Sequence, residues 1–107
     1  MRAGKLRQRL VIQAATETKN DFGEPIKTWA DWATVWGAVE PLRGRELWAA
    51  REKQARLDTR IRIRYREGVT PKMRVVFGDH IYEIDSVIDE EMRHANLQLM
   101  CWEVVPV

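Results

Sequence analysis

The sequence predicts a mainly β fold, a small antiparallel β-barrel or sandwich of about six strands with one inserted α-helix. Three observations predict it. Short segments of alternating apolar and polar residues recur along the chain. Turn-forming residues separate them at short spacing, with a tight hairpin signal at Gly78-Asp79. Only one segment, residues 45–56, is long, rich in helix formers and free of Gly and Pro.

The elements follow in chain order. Over residues 9–15, Leu10 and Ile12 point one way and Val11 and Gln13 the other, which predicts a first strand. Residues 16–28 carry Asn20-Asp21, Phe22-Gly23 and Glu24-Pro25, so a long exposed loop is expected there. Trp, Val and Thr dominate residues 34–40, and Gly37 weakens a helix, so a second strand is expected, ending at Pro41. In the helix at 45–56, Leu47, Trp48 and Ala50 supply the expected buried stripe, and Glu52 and Arg56 are spaced to pair across one turn. Residues 57–65 form the clearest strand, with Ile61, Ile63 and Tyr65 on one face and Arg60, Arg62, Arg64 and then Arg66 on the other. A turn at Glu67-Gly68 leads to a short strand at 74–77. Gly78-Asp79, in the order that suits a type II′ turn, joins it to a strand at 80–87 with Tyr82 and Ile84 on one face. A polar connection precedes a last strand at 97–105, with Leu97, Leu99 and Cys101 on one face.

At 107 residues, the chain is expected to form a single domain. Its net charge of +2 does not by itself suggest a nucleic-acid binder. The distribution is more informative. Residues 43–66 hold nine basic and three acidic side chains, a net of +6, and residues 78–91 hold six acidic and no Lys or Arg, a net of −6. Such segments can meet head to tail between neighbouring copies, and heterologous contacts of that kind close into rings when the rotation permits. The single cysteine, Cys101, excludes an intrachain disulfide and fits a reducing cytosol. The basic start, with Arg2, Lys5 and Arg7, is followed by Gln8, Arg9 and Gln13 rather than an apolar run, so no signal peptide is expected. No apolar stretch approaches the roughly 20 residues of a membrane-spanning helix.

Catalysis and metal binding find few residues to stand on. His80, His94 and Cys101 lack any zinc-ligand spacing. Asp85, Asp89, Glu90 and Glu91 read as a solvated acidic region or a surface that meets a basic partner, because acid–base or Mg²⁺ chemistry needs a positioned pair in a dry pocket. No nucleophile elbow or phosphate-cradling glycine motif occurs. The arginine row is the least ordinary feature. Like charges every second residue lie about 7 Å apart on one face. They call for acidic cross-strand neighbours, solvent, an acidic partner or phosphate. Aromatic interleaving is weak in the sequence, with only Tyr65 close by and on the opposite face. Of the five tryptophans, Trp36, Trp48 and Trp102 are expected in or at the edge of the core. Trp29 and Trp32 flank the exposed loop as candidate interface anchors.

Several local signals then line up in one order. Met1-Arg2-Ala3-Gly4-Lys5-Leu6-Arg7 leads into Arg9-Leu10-Val11-Ile12-Gln13. Asp21-Phe22-Gly23 is followed by Trp29, then by Val35-Trp36-Gly37-Ala38-Val39-Glu40-Pro41-Leu42-Arg43-Gly44-Arg45-Glu46. Ile61-Arg62-Ile63-Arg64-Tyr65, Arg74-Val75-Val76-Phe77-Gly78, Tyr82-Glu83-Ile84, Val87-Ile88-Asp89 and Leu97-Gln98-Leu99-Met100-Cys101-Trp102-Glu103 complete the set. Nearly the whole chain resembles the head–tail joining, or head-closure, family of tailed bacteriophages and prophages, with Trp48 and Trp102 as departures. The resemblance implies a non-enzymatic virion protein without cofactors, a small barrel with a helix that forms a ring at the connector. It implies closure of the DNA-filled capsid and a surface for tail attachment. Portal or adaptor proteins, tail proteins, further copies of the chain and packaged DNA in the channel are the implied partners, and no membrane. A loop of such proteins can plug the channel, and by position Asn20, Asp21, Phe22, Gly23 and Trp29 are the candidates. Arg60, Arg62, Arg64 and Arg66 with Asp85, Asp89, Glu90 and Glu91 are the candidate interface. The competing expectation is a nucleic-acid-binding barrel that contacts phosphate through the arginine row.

Overall fold

A computed structural model describes residues 7–104 of the chain. The expected basic start at 1–6 and the expected last strand residue, Val105, lie outside the described residues. In chain order the elements are β1 (Gln8–Lys19), β2 (Pro25–Pro41), α1 (Gly44–Lys53), β3 (Thr59–Arg64), β4 (Arg74–Phe77), β5 (His80–Asp89), a 3₁₀ turn (Glu90–Met92) and β6 (Asn96–Glu103). All strand pairs are antiparallel, and they close into a barrel in the order β1-β2-β3-β6-β5-β4. The mainly β class with one helix is therefore correct, and its closed form is the barrel.

Alternation fills the barrel. Leu10 and Ile12 of β1, Ile61 and Ile63 of β3, Val75 of β4, Tyr82 and Ile84 of β5, and Leu97, Leu99 and Cys101 of β6 form one buried cluster. Each fully buried aliphatic side chain contributes roughly 1.5–3 kcal/mol relative to exposure. Val35 and Val39 of β2 pack against it, and between them Gly37 lets β2 approach Leu10 and Ile63. At the β4–β5 hairpin Phe77 faces His80 across a two-residue turn, and only Gly78 has a positive φ, +59°, the pattern of a type II′ turn.

Two expected elements differ. Residues 16–28 are exposed but do not form an irregular loop. β1 and β2 continue past the barrel as a two-stranded arm, pairing Thr16 with Thr28 and Lys19 with Pro25 around a turn at Asn20 to Glu24. β1 pairs with β4 only as far as Gln13, so beyond it the arm runs on as a two-stranded ribbon whose base still meets the barrel where Arg74 lies over Trp29. Six residues of strand span about 20 Å, which matches the difference between the 48 Å long axis and the 28 Å and 27 Å short ones. The Asn20 side-chain carbonyl accepts hydrogen bonds from the backbone N–H of Phe22 and of Glu24, both at 2.9 Å, and fixes the turn.

The helix is the second difference. It ends at Lys53, no residue in it is buried, and Trp48 is 77% exposed. The expected stripe of Leu47, Trp48 and Ala50 does not enter the core, because the barrel is already closed and filled beneath it. Buried Leu42 and Leu57 anchor the two ends instead, and the Leu42 N–H donates to the Asp58 carbonyl at 2.9 Å. Arg56 lies beyond the helix, its guanidinium 5.7 Å from the Trp102 ring, rather than in a pair with Glu52.

Candidate functional site

Strand alternation that buries Ile61 and Ile63 turns Arg60, Arg62 and Arg64 outward. The register then decides which of them are neutralised. Glu40 of β2 is the cross-strand partner of Arg60, and its Oε1 lies 3.1 Å from Arg60 Nε. Arg60 Nη1 reaches Glu46 of α1 at 3.2 Å. Burial works against the Arg60 charge, but the hydrogen bonds to Glu40 and Glu46 outweigh it and raise its pKa above the ordinary guanidinium value. Arg62 Nε lies 3.0 Å from the same Glu40 oxygen but off the hydrogen-bonding direction, so this buried N–H has no aligned acceptor. Arg62 Nη1 lies 3.8 Å from Glu90. Arg64 and Arg66 are exposed and make no ion pair among the described residues. The Arg66 guanidinium lies 5.3 Å from the Trp32 ring.

The expected acidic side is largely answered within the chain. Asp89 Oδ1 accepts from the His94 backbone N–H at 3.0 Å, and its Oδ2 lies 3.3 Å from His94 Nε2. The His94 ring stacks on Tyr65 at 4.4 Å. Glu90 accepts from Gln98 Nε2 at 2.9 Å, and Glu91 pairs with Arg93 at 3.1 Å. Glu91, Met92 and His94 all have positive φ, so this connection is backbone-strained. Asp85 is the exception. Ile84 pairs with Cys101 and Ser86 with Met100, which leaves Asp85 as the extra residue of a β-bulge. Together with Arg60 it borders a groove of about 360 Å³ between α1 and the barrel wall, whose apolar lining includes Leu42, Ala50, Ile88 and Met100.

At the arm's tip, Asn20, Asp21, Phe22 and Gly23 come together in the turn, with Phe22 88% exposed. Trp29 sits nearer the barrel, half-buried between Lys27 Nζ at 4.9 Å and the Arg74 guanidinium at 4.3 Å. It belongs to the arm's flank rather than its tip. Trp36 and Trp48 are exposed rather than core residues, while Trp102 is half-buried. Sequence reasoning missed Glu40, Glu46 and Arg9. The signal for Glu40 was the β2–β3 register, which the intervening helix hides.

Among the described residues no group of three or more His, Cys, Asp or Glu side chains is placed to hold a metal ion. No described helix is long and apolar enough to cross a membrane. The exposed surfaces carry charge, indole rings and a projecting arm.

Comparison with known proteins gives four similarities. A family model described as phage head completion protein matches residues 1–105. Head completion protein gp7 of Enterobacteria phage HK97 is 23% identical over 106 residues, covering 94% of this chain and 95% of gp7. Among solved structures, protein SF1141 from Shigella flexneri 2a is 26% identical with a TM-score of 0.79 and full coverage of both chains. A chain of the native gene transfer agent virion shares the fold, with a TM-score of 0.63 at 20% identity, over 94% of this chain and 97% of that one.

Proposed function

This chain belongs to the phage head completion protein family, which makes it a structural component of a virion, and we propose that it acts there as one subunit of a ring at the head–tail connector. In this reading the ring closes the DNA-filled capsid and offers the surface to which the tail attaches, without catalysis. The family match over residues 1–105 carries the reading. The fold supports it physically. A closed barrel has no free sheet edge of its own, so subunits join through side-chain surfaces and through the arm.

The arm is the proposed channel plug, with Asn20, Asp21, Phe22 and Gly23 at its tip and Trp29 bracing its base. Its two paired strands make it stiffer than a loop of the same length. Asp85, Asp89, Glu90 and Glu91 are the proposed surface for a basic region of a neighbouring copy or of a portal, adaptor or tail protein. Asp85 leads this set, because the other three already have partners within the chain. Arg60 and Arg62 contribute to subunit contacts only indirectly, since Glu40 and Glu46 hold them against their own barrel.

Deleting the gene for this chain from a phage that encodes it tests the reading. The expected product is heads that package DNA, lose it and carry no tails, with joining restored when the chain is supplied in trans. Normal yields of tailed, DNA-filled particles from the deletion would contradict it.

A further inference from the structure

The arginine row divides into a neutralised half and an open half, and the open half lies beside two tryptophans that the sequence keeps far away. Arg9 of β1 and Trp36 of β2 are cross-strand partners, and the Arg9 guanidinium lies 5.0 Å from the indole centre. Gly37 pairs with Ile63 and Ala38 with Arg62, so the same register carries Trp36 to a position beside Arg64. Trp36 thus stands in the middle of three adjacent strands with an arginine on each side, and it is 52% exposed. Trp32 adjoins this row. Ile12 pairs with Ala33 and Gln13 with Asp31, which makes Trp32 the extra residue of a bulge, and it carries Arg66 over its ring. Arg9, Arg64 and Arg66 are exposed, and none of them makes an ion pair among the described residues.

We propose that this face, formed by Arg9, Trp36, Arg64, Trp32 and Arg66, is a binding site for the phosphate backbone of nucleic acid. A guanidinium held over an indole keeps N–H groups free, and these can grip a phosphate through charge-assisted hydrogen bonds. Neighbouring strands lie about 5 Å apart, and residues two apart on a strand about 7 Å. Cations so spaced suit a ligand whose anions repeat at close intervals, as phosphates do along a duplex. Exposed indole adds a stacking surface for an unpaired base or a duplex end. An acidic protein face fits less well, because its carboxylates would leave the exposed indoles with nothing to stack on, whereas a base offers a ring. The cation-and-aromatic combination that the linear sequence lacks is therefore assembled by the sheet. The inference rests on surface chemistry and not on the connector reading, so either can fail alone.

Fluorescence anisotropy of labelled DNA with the purified full chain tests it. The probes are a duplex of about 30 base pairs and the matching single strand, titrated at several salt concentrations. The expected result is saturable binding that weakens steeply with salt. The triple variant Arg9→Gln/Arg64→Gln/Arg66→Gln is expected to bind at least about tenfold more weakly, with a log–log salt slope smaller by roughly 3. The charge-matched variant Lys19→Gln/Arg45→Gln/Lys53→Gln, away from the face, is expected to bind like the wild type. Thermal melts confirm that both variants fold, and a misfolded triple variant is replaced by Arg64→Gln/Arg66→Gln. Absence of binding by the wild type at low salt would overturn the proposal. So would an equal loss in the charge-matched variant. Competition by polyglutamate as effective per charge as DNA would also overturn it and point to an acidic protein instead.

Discussion

Gly37 sits where β2 crosses closest to its neighbours. A Cβ there would lie 2.6 Å from Leu10 Cδ1, 2.8 Å from the Arg62 carbonyl oxygen and 3.0 Å from Ile63 Cγ2. Leu10 and Ile63 are fully buried and the carbonyl is backbone, so nothing nearby yields cheaply. Gly37→Ala is expected to destabilise the fold by about 1–3 kcal/mol through overpacking. Differential scanning calorimetry reads this as a fall in Tm of roughly 4–8 °C per kcal/mol. Cys101 makes a second prediction. Burial raises its thiol pKa, with Asp58 and Asp85 adding to the shift, and burial followed by Glu103 raises the Tyr82 phenol. Both groups bind their proton more tightly folded than unfolded. The stability they protect is complete below their ordinary pKa values and is lost as pH rises above them toward the folded values. Chemical denaturation is expected to show stability falling above about pH 9, by up to roughly 1.4 kcal/mol per pH unit for each such proton. Cys101→Ala should make that fall shallower by the thiol's share. A flat profile to pH 10–11 would contradict the assignment.

At the scale of elements, the arm and the barrel answer to different forces. No arm residue belongs to the buried core. Replacing residues 17–27 with a two-residue Asn-Gly turn between Thr16 and Thr28 is therefore expected to leave Tm within a few degrees of the wild type. A phage carrying that variant is expected to form heads that leak DNA, as a nuclease-protection assay on purified heads would read. Full DNA retention would remove the plug role. The same division explains what the sequence reveals. Ile61, Ile63, Leu97, Leu99 and Cys101 alternate because one face of each strand is buried, so periodicity locates the barrel strands. In the arm, Glu17 faces Lys27 and Thr18 faces Ile26 with neither side buried, so composition there imitates a loop although the backbone is paired. Trp48 reads as core because it is aromatic on a helix, yet α1 rides outside a barrel that needs no lid. The arginine row is legible from Arg60 to Arg66. Its division is not, because Glu40, Trp32 and Trp36 reach it only through long-range register.

The whole molecule is a closed barrel with one two-stranded projection and several outward surfaces of distinct character. Arg60 is neutralised beneath the helix, the open arginine–tryptophan face follows along the same row, and the strained acidic turn adjoins that row where Arg64 pairs with Asn96. The barrel closes its own sheet, while the arm strands are paired on one side only. A chain of this family, with this shape, is expected to repeat around an axis, each copy setting one arm toward it. Localised cryo-EM reconstruction of the neck of a purified virion that encodes the chain is the most direct measurement. The account predicts a ring of these barrels between head and tail, with the Asn20–Glu24 turns directed into the channel. Its absence from the particle, or its occurrence as isolated copies elsewhere on the capsid, would contradict the account.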